Sequence, residues 1–112
     1  MTDHSSRFDV EMTIDKYLAS EVFEDRILHV VKENVAVLLA KHRDYGPKNI
    51  SHSPGGALNG LRVRMHDKLA RINHLIDNKA TPENEALIDS FLDLANYAII
   101  AQLVLRKEWP NV

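Results

Sequence analysis

The sequence lacks cysteine entirely and contains only four glycines and four prolines among its 112 residues. Because there is no thiol, disulfides, thiolate zinc sites and a cysteine nucleophile are all excluded. This composition fits a reducing compartment, and we expect a cytoplasmic protein. Residues 11–42 contain neither glycine nor proline, so the two strongest helix breakers are missing from a long part of the chain.

An excess of positive charge is also missing, because 14 Lys and Arg residues stand against 16 Asp and Glu residues, for a net charge of -2. General nucleic-acid binders carry a large positive excess that neutralises phosphates. We therefore expect no general nucleic-acid binding. Any site for an anion must be local.

No hydrophobic run is long enough for a membrane span. The longest run, residues 95–105, is shorter than the roughly 20 apolar residues that a bilayer requires, and Asp89 and Asp93 precede it closely. Residues 1–10 are polar and acidic and lack the apolar segment of a secretory signal. We expect no membrane association, and we predict that the run lies in a core or an interface.

The length and the apolar content of 45% predict one folded unit. We predict a flexible N-terminus over residues 1–10 and a single helical domain over residues 11–112. A short helical chain buries a small fraction of its surface, so we also expect a homo-oligomer.

Apolar residues recur at threes and fours within residues 11–42, which predicts a long helix, with or without a separate short helix near residues 13–18. Gly46 and Pro47 end the long helix, because glycine accepts the left-handed conformation and proline cannot continue the hydrogen-bond ladder. Residues 47–59 predict a loop. The next helix starts either at Ser53 and Pro54 or at Asn59.

A second apolar stripe runs from Leu61 to Ile76 and predicts a helix that ends near Asp77. Residues 81–83, Thr-Pro-Glu, combine an N-cap hydroxyl, a proline at the first helical position and a carboxylate in the first turn. The last helix therefore starts there and runs to about Lys107, a length of roughly 39 Å.

Residues 94–105 of this last helix are apolar nearly all round, so every face needs cover, and we expect another subunit to cover the outer face. No segment shows the sustained alternation that is typical of strands. The predicted fold is an all-α bundle of three to four helices with a long C-terminal helix, completed by oligomerisation.

One face of the last helix carries four polar side chains at spacings of four, four and three. They are Glu85, Asp89, Asp93 and Asn96. Like charges so placed repel, which predicts a positive partner opposite. One candidate is Mg²⁺ or Mn²⁺, held by the three acids together with the phosphates of a substrate.

The other candidate is the basic face of the preceding helix. It consists of Arg64, Lys68 and Arg71. This face either neutralises the phosphates of a ligand or forms a structural ion network with the acids, and the spacing alone favours the network.

Two further groups carry weaker signals. Glu21 and Glu24 form an acid pair that a helix bundle could bring to Asp89 and Asp93 as additional metal ligands. Asp44 and Tyr45 end the long helix, where they either contact a sugar or base or simply complete a turn and a core edge. Six histidines lack a zinc-binding spacing, and Gly55-Gly56 lacks the Lys-Ser/Thr of a phosphate-binding P-loop.

Lys41, "DYG" at 44–46, Arg64, "DKLARI" at 67–72, Glu85, Asp89 and "DLANYA" at 93–98 occur in this order along the chain. Together they resemble the nucleotide-modification-associated domain of the first type, a small family that is common in bacteriophages. The likeness covers about residues 41–101. It implies a role in nucleotide metabolism, in the host cytoplasm if the protein is phage-encoded.

The resemblance further suggests kinship with the MazG-like all-α nucleoside triphosphate pyrophosphohydrolases, in which acids on neighbouring helices hold Mg²⁺. Their usual pattern is Glu-x-x-Glu on one helix and Glu-x-x-Asp on a later one. Glu21 and Glu24 fit the first half, but Ala86 and Ser90 stand where the second half needs Glu. The departure weakens the expectation of hydrolysis more than that of nucleotide binding.

These observations lead to one functional hypothesis with a rival. A Mg-dependent nucleotide-binding protein, and if an enzyme a nucleotide (pyro)phosphohydrolase, would hold the metal with Asp89 and Asp93, assisted by Glu85. The phosphates would contact the basic face, and Asp44 and Tyr45 would contact the sugar or base. Lys41 and Asn96 are further candidate substrate-binding residues. The rival is a non-catalytic helical module that sequesters a nucleotide or binds a host protein.

Overall fold

The computed structural model describes residues 21–78 and 84–112, without the side chains of Glu21, Asn84 and Glu85. This part of the chain contains four helices and no strand. The helices are α1 (Glu21–Tyr45), α2 (Lys48–Ser51), α3 (Ala57–Asp77) and α4 (Asn84–Leu105). The predicted all-α class with a long C-terminal helix is confirmed. The predictions for residues 1–10, 13–18 and 81–83 lie outside the described residues.

The chain divides into two compact units, Met1–Glu33 and Asn34–Val112, and each is described by itself. In the first unit, residues 21–33 form the first half of α1, with Phe23, Ile27 and Val30 among its exposed apolar side chains. The His29 imidazole lies 3.0 Å from Glu33 one turn later. The prediction of a single domain over residues 11–112 stays a prediction.

Helix α1 ends as its sequence predicts. Gly46 has a φ of +69°, and its amide donates to the carbonyl of His42 at 2.8 Å, which closes the last turn. The helix extends to Tyr45, three residues past the predicted limit of the apolar pattern, because nothing before the glycine interrupts its hydrogen bonds.

The prediction of a loop over residues 47–59 is wrong in two places. Pro47 begins a helical turn, α2, in which the amides of Ile50 and Ser51 donate to its carbonyl at 3.1 and 3.0 Å. Proline suits a first turn because its missing N–H would have no partner there. Ile50, only 2% exposed, packs in the core and so fixes the turn in place. Helix α3 then starts at Ala57 after Gly56, whose φ is +96°, and not at either predicted position.

The core of the Asn34–Val112 unit forms between α3, α4 and the segments that flank them. Its buried apolar residues are Ile50, Leu61, Ile100, Val104 and Trp109. Leu61 is fully buried, and burying a side chain of this size stabilises the fold by about 1.5–3 kcal/mol. The core therefore joins the connection after α1 to the far end of the chain.

The end of α4 brings Trp109 back to this core. Lys107 has a φ of +58°, and the Glu108 amide donates to the Leu103 carbonyl at 2.9 Å, so the chain reverses. The last helix consequently ends at Leu105, two residues before the predicted limit. The reversal places the indole of Trp109 against the connection between α1 and α3.

Helix α4 has several exposed apolar side chains in the Asn34–Val112 unit, among them Ile88, Phe91 and Leu105. By length and composition alone, the 20 residues Ala86–Leu105 are long and apolar enough to cross a membrane, with a mean hydropathy of 1.4, a property that core helices of soluble proteins share. The prediction that no apolar run reaches this length is therefore wrong, because the stretch stays apolar on average across Asp89 and Asp93. The prediction of no membrane association stays a prediction.

Candidate functional site

A cleft of about 310 Å³ opens within the Asn34–Val112 unit, between the end of α1, the connection to α3, and α4. Its volume lies at the lower end of the roughly 300–1,000 Å³ that small-molecule sites occupy. The residues that line the cleft include Lys41, His42, Tyr45, Arg64, Asp93, Asn96, Tyr97 and Trp109. Charged groups from three helices thus meet an aromatic surface.

Asp93 on α4 is bound by two lysines from two other helices. Its Oδ1 accepts from the Nζ of Lys41 at 2.9 Å, and its Oδ2 lies 3.0 Å from the Nζ of Lys68. The carboxylate side chain is 16% exposed, whereas Lys41 is 53% exposed and Lys68 26% exposed. Lys41 lines the cleft, and Lys68 approaches the carboxylate without lining it.

The pKa values of this cluster follow from its contacts. Burial raises the pKa of the Asp93 carboxyl, but the hydrogen bonds and charges of the two lysines outweigh burial and hold the pKa below its ordinary value. The hydrogen bond to Asp93 likewise raises the pKa of Lys41, against the opposing effect of desolvation. Asp93 and Lys41 are therefore both charged at neutral pH, and two lysines against one carboxylate give the cluster a formal positive charge.

Arg64 on α3 supplies a second cation to the cleft. Its Nη2 donates to the Asn49 carbonyl at 3.0 Å and its Nη1 to the Ser53 Oγ at 3.3 Å, while the Ser53 hydroxyl itself donates to the Asn49 carbonyl at 2.9 Å. Among the described residues, no carboxylate pairs with Arg64 within salt-bridge distance. The guanidinium is therefore positioned by neutral groups and keeps its charge available to an anion.

Gly60 makes this positioning of Arg64 possible. A Cβ at Gly60 would lie 2.4 Å from the Oγ and 2.5 Å from the Cβ of Ser53, distances that real side chains do not adopt. Only a glycine lets the segment that follows α2 approach α3 this closely.

Aromatic side chains form the other side of the cleft. The indole of Trp109 donates to the Pro47 carbonyl at 3.1 Å and packs edge-on to the His42 ring, with ring centroids 5.1 Å apart. Tyr45 is 68% exposed, and Tyr97 is partly buried. Such rings offer flat apolar surfaces to a planar ligand.

Two buried polar atoms on residues that line this cleft have no hydrogen-bond partner in the part of the chain that the structure describes. They are the Oδ1 of Asn96 and the Nδ1 of His42. Asn96 is only 6% exposed, and its Nδ2 donates to the Asn34 carbonyl at 3.0 Å, which fixes the amide. A buried acceptor without a partner costs about 1–3 kcal/mol, so these atoms call for a partner beyond those that the described residues supply.

The structure brings together half of the predicted site residues. Those that line the cleft are Lys41, Tyr45, Arg64, Asp93 and Asn96, and Lys68 joins them through Asp93. Three others are exposed and do not line the cleft: Asp44, Arg71 and Asp89. Glu24 belongs to the Met1–Glu33 unit, and the side chains of Glu21 and Glu85 lie outside the described residues.

The predicted metal site has no assembled ligand set. Within residues 22–78 and 86–112, no group of three or more His, Asp or Glu side chains is placed to hold an ion. Asp93, the one predicted acid in the cleft, already accepts from an ammonium group on each oxygen. The described acids do not fit a preformed site for Mg²⁺ or Mn²⁺.

Sequence reasoning missed His42 and Trp109, although both line the cleft. The sequence held one signal for the second, since Trp109 is the only tryptophan and follows an apolar helix by four residues. For His42 no signal stood out from the other histidines.

The fold and the cleft define an all-α protein with a small, cationic and partly aromatic cleft. Residues 41–105, more than half of the chain, match the nucleotide modification associated domain 1 family, and the chain belongs to this family. No curated protein and no solved structure matches the chain. The family match includes every cleft residue named above except Trp109, and it associates the chain with nucleotide modification.

Proposed function

We propose that the protein binds a nucleotide, a deoxynucleoside phosphate, in the cleft beside Asp93. One observation carries the proposal: two cations from different helices, Lys41 and Arg64, line a cleft of mononucleotide size together with aromatic rings. The family membership supports a nucleotide as the ligand.

The phosphate would bind between Lys41 and Arg64. A guanidinium binds phosphate oxygens through paired N–H donors, and the ammonium group of Lys41 adds a mobile point charge. Arg64 suits this role because neutral groups hold it and, among the described residues, no carboxylate neutralises it. The basic face of α3 thus contributes Arg64 directly.

The base would bind against the aromatic side of the cleft. Tyr45 is exposed enough to stack on a planar ring, and Asn96 provides an amide oxygen that accepts from an N–H donor. This assignment accounts for the unpartnered Oδ1 of Asn96.

Two versions of this function differ in whether the nucleotide is hydrolysed. Hydrolysis of the phosphate chain with Mg²⁺ or Mn²⁺, and with it kinship to MazG-like enzymes, would require acids beyond those in the cleft. The absence of a group of three metal-binding side chains among the described residues, and the neutralisation of Asp93 by lysines, favour a protein that holds its ligand. A sequestering binder is therefore the second candidate function.

Binding is tested with the four canonical deoxynucleoside 5′-monophosphates, their triphosphates and modified-base analogues, with and without Mg²⁺ or Mn²⁺. Trp109, the only tryptophan, lines the cleft, so its fluorescence reports occupancy, and calorimetry gives the dissociation constant. Released phosphate or pyrophosphate is measured in parallel. Saturable binding without release supports the binder, and metal-dependent release supports the hydrolase.

A matched pair of variants connects binding to the cleft. Arg64→Met should weaken nucleotide binding about 10- to 100-fold, the loss expected for a charged hydrogen bond. Arg62→Met removes the same charge from the same helix, but Arg62 bonds to the Asn59 Oδ1 at 2.7 Å and does not line the cleft. Equal effects of both substitutions, or no binding to the unmodified protein, would refute the proposal.

We also propose that the protein acts as a homo-oligomer in the cytoplasm. The exposed apolar side chains of α4 support an assembly, because a groove between α3 and α4 is lined mainly by Met65, Leu69, Phe91 and Leu94. Light scattering of the purified protein measures the number of subunits, and a monomer at all concentrations would contradict the proposal.

A further inference from the structure

We propose that Asp93 is an internal competitor of the ligand phosphate: Lys41 binds Asp93 in the free protein and transfers to the phosphate when a nucleotide enters the cleft. This inference rests on the proposed function and adds a residue that sets its affinity. The sequence predicted Asp93 as a metal ligand, and the lysines on both of its oxygens point to a different role.

The two lysines differ in a way that suits this exchange. Lys41 is 53% exposed, lines the cleft and has room to turn its ammonium group toward a ligand. Lys68 is 26% exposed, does not line the cleft and approaches Asp93 through the other oxygen. Lys41 is therefore the mobile partner, and Lys68 is the fixed one.

Because Lys68 stays bound to Asp93, the transfer of Lys41 to a phosphate costs little free energy. A mostly buried carboxylate that lost its only cation would be left unpaired, which is strongly unfavourable. Because Lys68 stays on Oδ2 at 3.0 Å, Asp93 keeps a counter-ion when Lys41 leaves Oδ1. Because the Lys41 side chain is half-exposed, its ion pair with Asp93 contributes little, so a phosphate with two negative charges competes for Lys41 successfully.

The exchange also explains why Arg64 is arranged differently. Arg64 is held by the Asn49 carbonyl and the Ser53 hydroxyl, and neutral partners do not oppose an incoming anion by charge. In the cleft, Arg64 would then be free to bind phosphate, whereas Lys41 would bind phosphate only after leaving Asp93.

Asp93→Asn tests the inference, because an amide keeps the shape, accepts from only one lysine and removes the competing charge. The probes are inorganic pyrophosphate and the four deoxynucleoside 5′-monophosphates in metal-free buffer, measured by calorimetry. Asp93→Asn should tighten binding about fivefold, the fold-change that matches the upper range of an exposed ion pair. Asp67→Asn, an exposed acid outside the cleft, makes the same change in net charge and should alter binding less than twofold.

A double-mutant cycle separates the fixed role of Lys68 from direct binding. Lys68→Met should weaken pyrophosphate binding, because Asp93 then depends on Lys41 alone. In the Asp93→Asn background the same Lys68 substitution should have little effect. If Lys68 contacts the phosphate directly, it weakens binding equally in both backgrounds, and the inference is wrong in that part.

Failure of this inference and failure of the proposed function give different results. If the unmodified protein binds none of the probes, the proposed function itself fails. If it binds them but Asp93→Asn weakens binding, Asp93 is not a competitor. If Asp93→Asn weakens binding only in a parallel titration with added Mg²⁺, Asp93 instead belongs to the predicted metal site.

Discussion

Replacing Gly60 with alanine is the most direct test of how the cleft is built. In an exposed helix interior, alanine is favoured over glycine by about 1 kcal/mol. At Gly60, however, the added methyl group would lie 2.5 Å from the Ser53 Cβ and 2.4 Å from its Oγ. The hydroxyl can rotate away, but the Cβ is fixed to the backbone, so the segment after α2 must shift.

We expect Gly60→Ala to destabilise the protein by about 1–3 kcal/mol, the usual cost of overpacking, in spite of the better helix propensity. For a domain of this size, 1 kcal/mol lowers the melting temperature by about 4–8 °C. The shift should also displace the groups that hold Arg64, so nucleotide binding should weaken together with stability. Urea unfolding followed by circular dichroism, at one fixed protein concentration, measures the first effect.

A second substitution removes the cause of the clash. Ser53→Gly eliminates the two closest atoms that a Cβ at Gly60 would meet and leaves only the end of the flexible Arg64 side chain, at 3.2 Å. Gly60→Ala in that background should therefore be neutral or stabilising by up to about 1 kcal/mol. If Gly60→Ala stabilises the unmodified protein, or costs the same in both backgrounds, then close packing at Gly60 does not position this segment.

Three further predictions concern individual side chains. Asp93→Asn should lower the free energy of unfolding by about 1 kcal/mol at neutral pH. Because the pKa of Asp93 in the folded protein lies below its ordinary 3.8, this loss should persist above about pH 4 and shrink as the pH falls further. Urea unfolding at a series of pH values measures it. Trp109→Phe removes the indole hydrogen bond to the Pro47 carbonyl, which keeps the bonds from the Ile50 and Ser51 amides, so we expect a loss of about 0.5–1.5 kcal/mol, and an unchanged melting temperature would contradict it. Asn96→Leu removes the unpartnered Oδ1 of Asn96 along with its bond to the Asn34 carbonyl, so stability should change by less than about 1.5 kcal/mol. Nucleotide affinity measured by calorimetry should fall at least tenfold. Unchanged affinity would exclude Asn96 from the site.

The helices of this chain could be predicted where local chemistry decides them. The apolar period of α3 and the Gly46-Pro47 stop of α1 depend on nearby residues only, and the structure confirms both. Helix α2 could not be predicted, because four residues are too few for a period and its turn is stabilised by the burial of Ile50 in a distant core.

The site could be predicted only in part, for a geometric reason. Spacing along a helix shows that Arg64 and Lys68 share a face, but it does not show which neighbouring helix that face meets. The ion pair between Lys41 and Asp93 joins residues 52 positions apart, and the sequence pattern contains no information on such a pairing. The sequence signal of Trp109 did not show where its indole lies, because that position depends on a positive φ at Lys107, a residue type that seldom adopts it.

The position of Trp109 has a practical consequence for anyone who handles the isolated domain. The family match stops at residue 105, yet Trp109, whose indole lines the cleft and packs in the apolar core, comes four residues later. A fragment trimmed to the matched boundaries would expose Ile50 and Ile100 to water and would be prone to aggregate. Tags and fusion partners therefore belong after Val112, with the final turn left intact.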